Sequence, residues 1–239
     1  MSPSPIWTPY CGVAPDGGVW RWNIEPVLLA VLGLSLLVIS MQLRGRRRLF
    51  GLAGMVVLAI GFVSPLCALS SALFSARTVH HVLLIGAAAP LLALALPARP
   101  VGSLMLSTAV QAVVFWAWHA PGLYAAALSN DLIYWAMQAS LLASAVWFWA
   151  AARVSSAPAA VVGLLAAMLS MGLLGAVLTF AGQSIYAPHF STTLAWGLTP
   201  LEDQQTAGLI MWAPASALYL FAALERLGRM LGPTREVAA

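Results

Sequence analysis

Ser75-Ala76-Arg77-Thr78-Val79-His80-His81, opening an apolar run that continues to Pro97, decides how the chain is read. The run is a lipid-soluble helix, and an arginine and two imidazoles at its mouth are costly to place there and mark a task. The rest of the composition agrees with a helix in lipid. Of 239 residues, 62% are hydrophobic and 8% charged, and the mean hydropathy is +0.90. Such a chain cannot present a charged surface to water on all sides, so the sequence predicts an all-α integral membrane protein. Its basic character comes from arginine alone, placed in short connections between apolar runs. That pattern is an orientation signal with lipid-headgroup contacts and excludes a nucleic-acid partner.

Working outward, about 20 apolar residues cross ~30 Å of hydrocarbon, and seven runs meet that length: 24–43, 49–69 with Pro65 as a kink, 79–96, 101–119, 132–152, 159–181 and 204–224. The chain divides into an extracytoplasmic amino-terminal segment (1–22), a seven-helix transmembrane domain (23–225) and a cytoplasmic tail (226–239). The first segment is rich in Pro and Gly and carries Trp7, Tyr10 and Trp20, so it reads as a loop with interfacial aromatics. A secretory signal peptide needs positive charge ahead of its apolar core, yet the first arginine is Arg21 and the first apolar run begins only after Asn23, so the segment is kept as part of the mature protein.

Arg44, Arg46, Arg47, Arg48, Arg99, Arg153, Arg226, Arg229 and Arg235 fall on one side of this topology, and Arg21 and Arg77 on the other. The positive-inside rule then puts the amino end outside and the carboxyl end in the cytoplasm. A lysine-free, alanine-rich chain points to a GC-rich bacterium, hence a multi-pass protein of the bacterial cytoplasmic (inner) membrane.

This orientation sends His80, His81, His119 and His189 to the outer face, together with Cys11 and Cys67. Imidazole suits copper, zinc and iron, and thioether sulfur favours cuprous copper. The candidate metal ligands are His81, His119, His80 and Met211. Adjacent histidines point about 100° apart on a helix, so at most one of His80 and His81 is expected to face the bundle unless the helix begins there. Arg77 discourages protonation of the imidazoles, which favours metal, and repels the metal itself. His189, in a polar loop, is expected to matter less. Cys11 and Cys67 could pair in an oxidising compartment or bind copper, and their spacing does not decide.

A second polar cluster opens the seventh run at Glu202-Asp203-Gln204-Gln205. Asp203 stands where a helix N-cap would stand. Gln204, Gly208 and Met211 share one face, and the glycine permits close helix approach.

Asp203-Gln204 followed by Ala207-Gly208 and Met211-Trp212, the stretch Trp118-His119-Ala120-Pro121-Gly122-Leu123-Tyr124, and His81 opening a span after Ser75 resemble the CtaG-like family of multi-span cytochrome c oxidase assembly factors. The resemblance implies a non-enzymatic assembly factor for a haem-copper terminal oxidase that handles copper at the outer face. It also implies an oxidase subunit or a periplasmic copper carrier as partner. It places His81, His119, Asp203, Gln204, Met211 and Trp212 on matching positions. The chain departs from the family pattern at Arg77 and Gln138, where the family usually carries histidine. Two other classes compete with this reading: a haem-binding membrane cytochrome with His81 and His119 as axial ligands, and a transporter or receptor-like protein without metal. No Gly-x-Ser-x-Gly turn or His-Glu-x-x-His helix supports an intramembrane enzyme.

Overall fold

Every regular element in the computed structural model, which describes residues 7, 9–16, 20–99 and 102–232, is helical. In chain order they are α1 (Pro26–Gln42), α2 (Gly45–Phe62), α3 (Pro65–Ala72), α4 (Phe74–Val82), α5 (Ala89–Ala95), α6 (Leu104–His119), α7 (Pro121–Ala127), α8 (Asp131–Val154), α9 (Ala157–Thr179), α10 (Pro200–Ile210) and α11 (Ser216–Leu231). A π-helical turn, Leu83–Ala88, joins α4 to α5, and another, Met211–Ala215, joins α10 to α11. Four continuous helices are long and apolar enough to cross a membrane: Phe74–Ala95, Asp131–Val154, Ala157–Thr179 and Pro200–Leu231. The pair α2 and α3 makes a fifth, bent by 46° where Pro65 starts a new helix capped by Ser64, as the sequence predicts for that proline. α1 and α6 are apolar but shorter, at 17 and 16 residues. At 1.5 Å per residue they reach about 25 Å, a little under the hydrocarbon thickness, so a count of seven requires both to cross as well.

The outward surface is apolar, with Leu34, Leu37, Val113, Leu132, Val162, Leu169 and Phe221 all exposed, as a lipid-facing wall requires. Polar groups are turned inward or gathered at the two ends. At one end arginines take the carbonyls that finished helices leave open. Arg47 donates to Ala95 at 2.8 Å, Arg153 to Ala93 at 2.8 Å and Leu96 at 3.1 Å, and Arg226 to Ala152 and Arg153. The opposite end holds a Cys11–Cys67 disulfide, which resolves the pairing that spacing left open.

Three expectations are corrected here. The third span begins at Phe74, so His80 and His81 lie about two turns inside it and do not open it. Asp203 is not the N-cap of its own helix: Thr199 is, in a reciprocal capping box with Glu202. His189 is buried at 2% exposure and is not part of a solvated loop. Arg235, part of the cytoplasmic tail and of the amino-terminal segment, and Val101 at the head of the fourth run lie outside the described residues.

Candidate functional site

α4 organises the site because it is packed into the bundle on every side but one, with Val79 its one exposed residue. Phe74, Ser75, Arg77, Thr78, His80 and His81 are all buried on its nine residues. Its N-terminus is held from far along the chain. The Asp203 carboxylate accepts from the Phe74 amide at 2.6 Å, the Ser75 amide at 3.1 Å and the Ser75 hydroxyl at 2.5 Å. A carboxylate at the positive end of a helix dipole, filling otherwise open backbone donors, is favourable on both counts. Asp203 is therefore a cap, but of α4.

Since the exposed strip of α4 is confined to Val79, both histidines face protein, against the expectation of at most one. His80 turns toward α2, edge-on to Phe62 with ring centroids 4.8 Å apart. Gly61 leaves it room: a Cβ there would stand 3.3 Å from the imidazole. His81 turns toward α6 and α8. Its ring centroid is 5.9 Å from those of both His80 and His119, and its Nε2 is 3.5 Å from the Gln138 amide nitrogen. His119 closes α6 with Nδ1 at 2.7 Å from the Phe115 carbonyl, which makes Nδ1 the protonated donor and leaves the Nε2 lone pair free. Among the described residues, both ring nitrogens of His80 and Nδ1 of His81 have no hydrogen-bond partner.

Arg77 is fully buried, its guanidinium carbon 5.4 Å from the Tyr134 ring centroid. The adjoining aromatic hub is built on Phe74, which stacks on Tyr186 at 3.9 Å and meets Tyr124, His119 and His189. Tyr186 donates to the His119 carbonyl at 2.8 Å. His189 is fixed between the Ala72 carbonyl, at 3.2 Å from Nδ1, and the Tyr124 hydroxyl, at 2.6 Å from Nε2. Burial first, then the Arg77 charge, push its pKa down to about 3, against the opposing pull of the Ala72 carbonyl.

The structure thus brings together Arg77, His80, His81, His119 and Gln138, and ties Asp203 to the same helix. It leaves three others elsewhere. Gln204 latches the preceding loop, accepting from the Ile185 amide at 2.8 Å and donating to the Gln183 carbonyl at 3.2 Å. Met211 is buried against α9 at Gly175. Trp212 is 44% exposed and edge-on to Phe180. Tyr124 and Tyr134 join the site without having been singled out, and so do His189, expected to matter less, and Ser75, noted only as a marker of the span that follows it. Tyr124 stands in the Trp118–Tyr124 string, and that was the one signal available.

A groove of about 650 Å³ runs between α1, α2 and α8. Its wall includes Phe62, Trp135 and Gln138, the side chains that screen His80 and His81, and Glu25 and Asp131 stand on its lining. Glu25 caps α1 through the Val27 and Leu28 amides, and these bonds hold its carboxyl below the usual range.

As a metal site the arrangement is open. Among the described residues, no three His, Cys, Asp or Glu side chains converge to hold an ion. Imidazoles whose ring centroids lie 5.9 Å apart are close enough to share one ion at ~2 Å metal–nitrogen bonds, and two neutral nitrogens make an open site and not an enclosed four-ligand centre.

Comparison with curated proteins and with solved structures gives no match. Residues 28–105 and 99–231 match the family model described as cytochrome c oxidase caa3 assembly factor. The match covers all the helices that build the site, and this all-helical chain belongs to the cytochrome c oxidase caa3 assembly factor family.

Proposed function

We propose that the protein serves a haem-copper terminal oxidase by holding cuprous copper as cargo between His81 and His119, with His80 as the ligand to which it passes. In this reading the bundle has seven spans in a bacterial inner membrane, amino end outside and carboxyl end in the cytoplasm. The histidines lie toward the outer end, where an oxidase subunit or a periplasmic copper carrier can meet them. The role is delivery without catalytic turnover. The observation that carries the reading is the chain of three imidazoles at 5.9 Å steps with unused ring nitrogens. Two neutral ligands hold a soft ion without enclosing it, which suits transfer. The groove ending at Gln138 supplies a way in that starts beside two carboxylates.

The test is copper content of the protein purified without a histidine tag, alongside oxidase activity of the host membranes. His81→Ala and His119→Ala should each lower both while the protein accumulates normally. Unchanged copper content in both variants would sink the reading. Met211→Leu keeps volume and removes sulfur, so lost copper retention in that variant would assign the thioether to the path.

A further inference from the structure

We propose that Arg77 forms the base of a buried site for one small inorganic anion of the halide class. The side chain is fully buried, and none of its three guanidinium nitrogens makes a well-formed hydrogen bond among the described residues. A guanidinium stays charged and offers five N–H donors and no acceptor, so only an acceptor can answer it, and in a low-dielectric interior a negative one. Among the described residues there is no such negative partner. Asp203, the buried carboxylate tied to the same helix, is engaged at Phe74 and Ser75 and forms no ion pair with Arg77. The one ion pair among the described residues joins Arg229 and Glu225 at the far end of the chain. Tyr134 answers part of the charge through its ring face, and the Tyr124 and Tyr134 hydroxyls stand near enough to the guanidinium to act as weak neutral acceptors, which leaves the charge itself unneutralised.

The neighbours favour an anion and limit its size. The Thr78 hydroxyl and both His80 nitrogens, on the same helix, are also without partners among the described residues, and each of these side chains has one proton to donate. Thr78 and His80 are 1% exposed, and Tyr124 and Tyr134 are fully buried. Such an enclosure admits a single compact ion and excludes an organic anion of any bulk. The site concerns the metal-free protein and does not depend on the copper reading.

The experiment is thermal unfolding of the metal-free protein in detergent, in sodium bromide or chloride against sodium gluconate at equal ionic strength. About 0.1 M halide should raise the midpoint by about 5 °C over gluconate, and Arg77→Gln should abolish the difference. Equal midpoints in halide and gluconate overturn the proposal, as does the same halide effect persisting in Arg77→Gln, which would make it a general salt effect. Should that variant fail to accumulate, crystals of the unaltered protein soaked in bromide decide. An anomalous peak at hydrogen-bond distance from the guanidinium supports the site, and no peak there overturns it.

Discussion

Among single residues, Asp203 and His189 show how position in space assigned roles that position in sequence misassigned. Asp203 has three donors converging on one carboxylate. Asparagine offers one oxygen and turns an NH2 toward a donor, so Asp203→Asn should destabilise by about 1–3 kcal/mol and Asp203→Ala by more. Chemical denaturation in detergent, with helix content as the readout, would check this. A variant as stable as the parent would mean that α4 is capped by something else. His189 gives a pH prediction. It stays neutral in the folded protein down to a pKa of about 3, while in an unfolded chain it protonates near 6.5. Below pH 6.5 the unfolded state therefore binds the extra proton, and stability should fall by roughly 1.4 kcal/mol per pH unit until about pH 3. His189→Gln should remove one proton's share of that slope. An unchanged slope would show that His189 is not held neutral. Neither role was legible beforehand: an acidic residue near a helix start looks like that helix's own cap, and a histidine between prolines and threonines looks solvated.

At the scale of helices, what was legible is what local chemistry decides. Pro65 breaks a span, Asn130 caps α8 through the Leu132 and Ile133 amides, and Gly208 allows a close crossing. Its counterpart was not visible in sequence. α9 and α10 touch through Gly175 and Gly208: a Cβ on Gly175 would stand 2.8 Å from the Gly208 carbonyl, and one on Gly208 would stand 2.6 Å from that of Gly175. Both obstacles are backbone, which cannot rotate aside. Gly175→Ala or Gly208→Ala should separate the helices and cost about 1–3 kcal/mol. Gly33→Ala, with nothing within 4 Å of the added atom, is the control. Equal midpoints for all three would mean that the crossing is loose. The two π-helical turns have a common cause, since Pro90 and Pro214 each lack an N–H and free a carbonyl. Bonds one residue longer replace the lost ones, Ala89 to Leu84 in the first and the Ser216 hydroxyl to Met211 at 3.0 Å in the second, and Trp149 donates to the freed region at Ile85. A proline announces a kink. Which donor repairs it depends on packing that no local pattern carries.

In the whole molecule, charge and sulfur mark opposite ends. Arg47, Arg153 and Arg226 take open carbonyls at one end, so they are fixed structurally as well as counted by the positive-inside rule. At the other end the Cys11–Cys67 bond fastens the amino-terminal segment over the start of α8, where Tyr10 stacks on Tyr134 at 5.0 Å. Disulfides persist in oxidising compartments, which argues independently of charge that this end faces outward. The two arguments make one joint prediction. A reporter active only in the cytoplasm should work when fused after Arg235 and stay silent when inserted between Ser191 and Thr199, while a thiol reagent added after denaturation, as the burial of Cys67 requires, should find one free thiol in Cys11→Ser and none in the unaltered protein before reduction. The same variant should lose roughly 2–4 kcal/mol, because the bond closes a loop of 56 residues. Reporter activity in the 191–199 loop would invert the bundle and carry the three-imidazole chain to the cytoplasmic side. The thiol count reads the other end of that inversion, because in a reducing cytoplasm Cys11 and Cys67 of the unaltered protein would be recovered as free thiols.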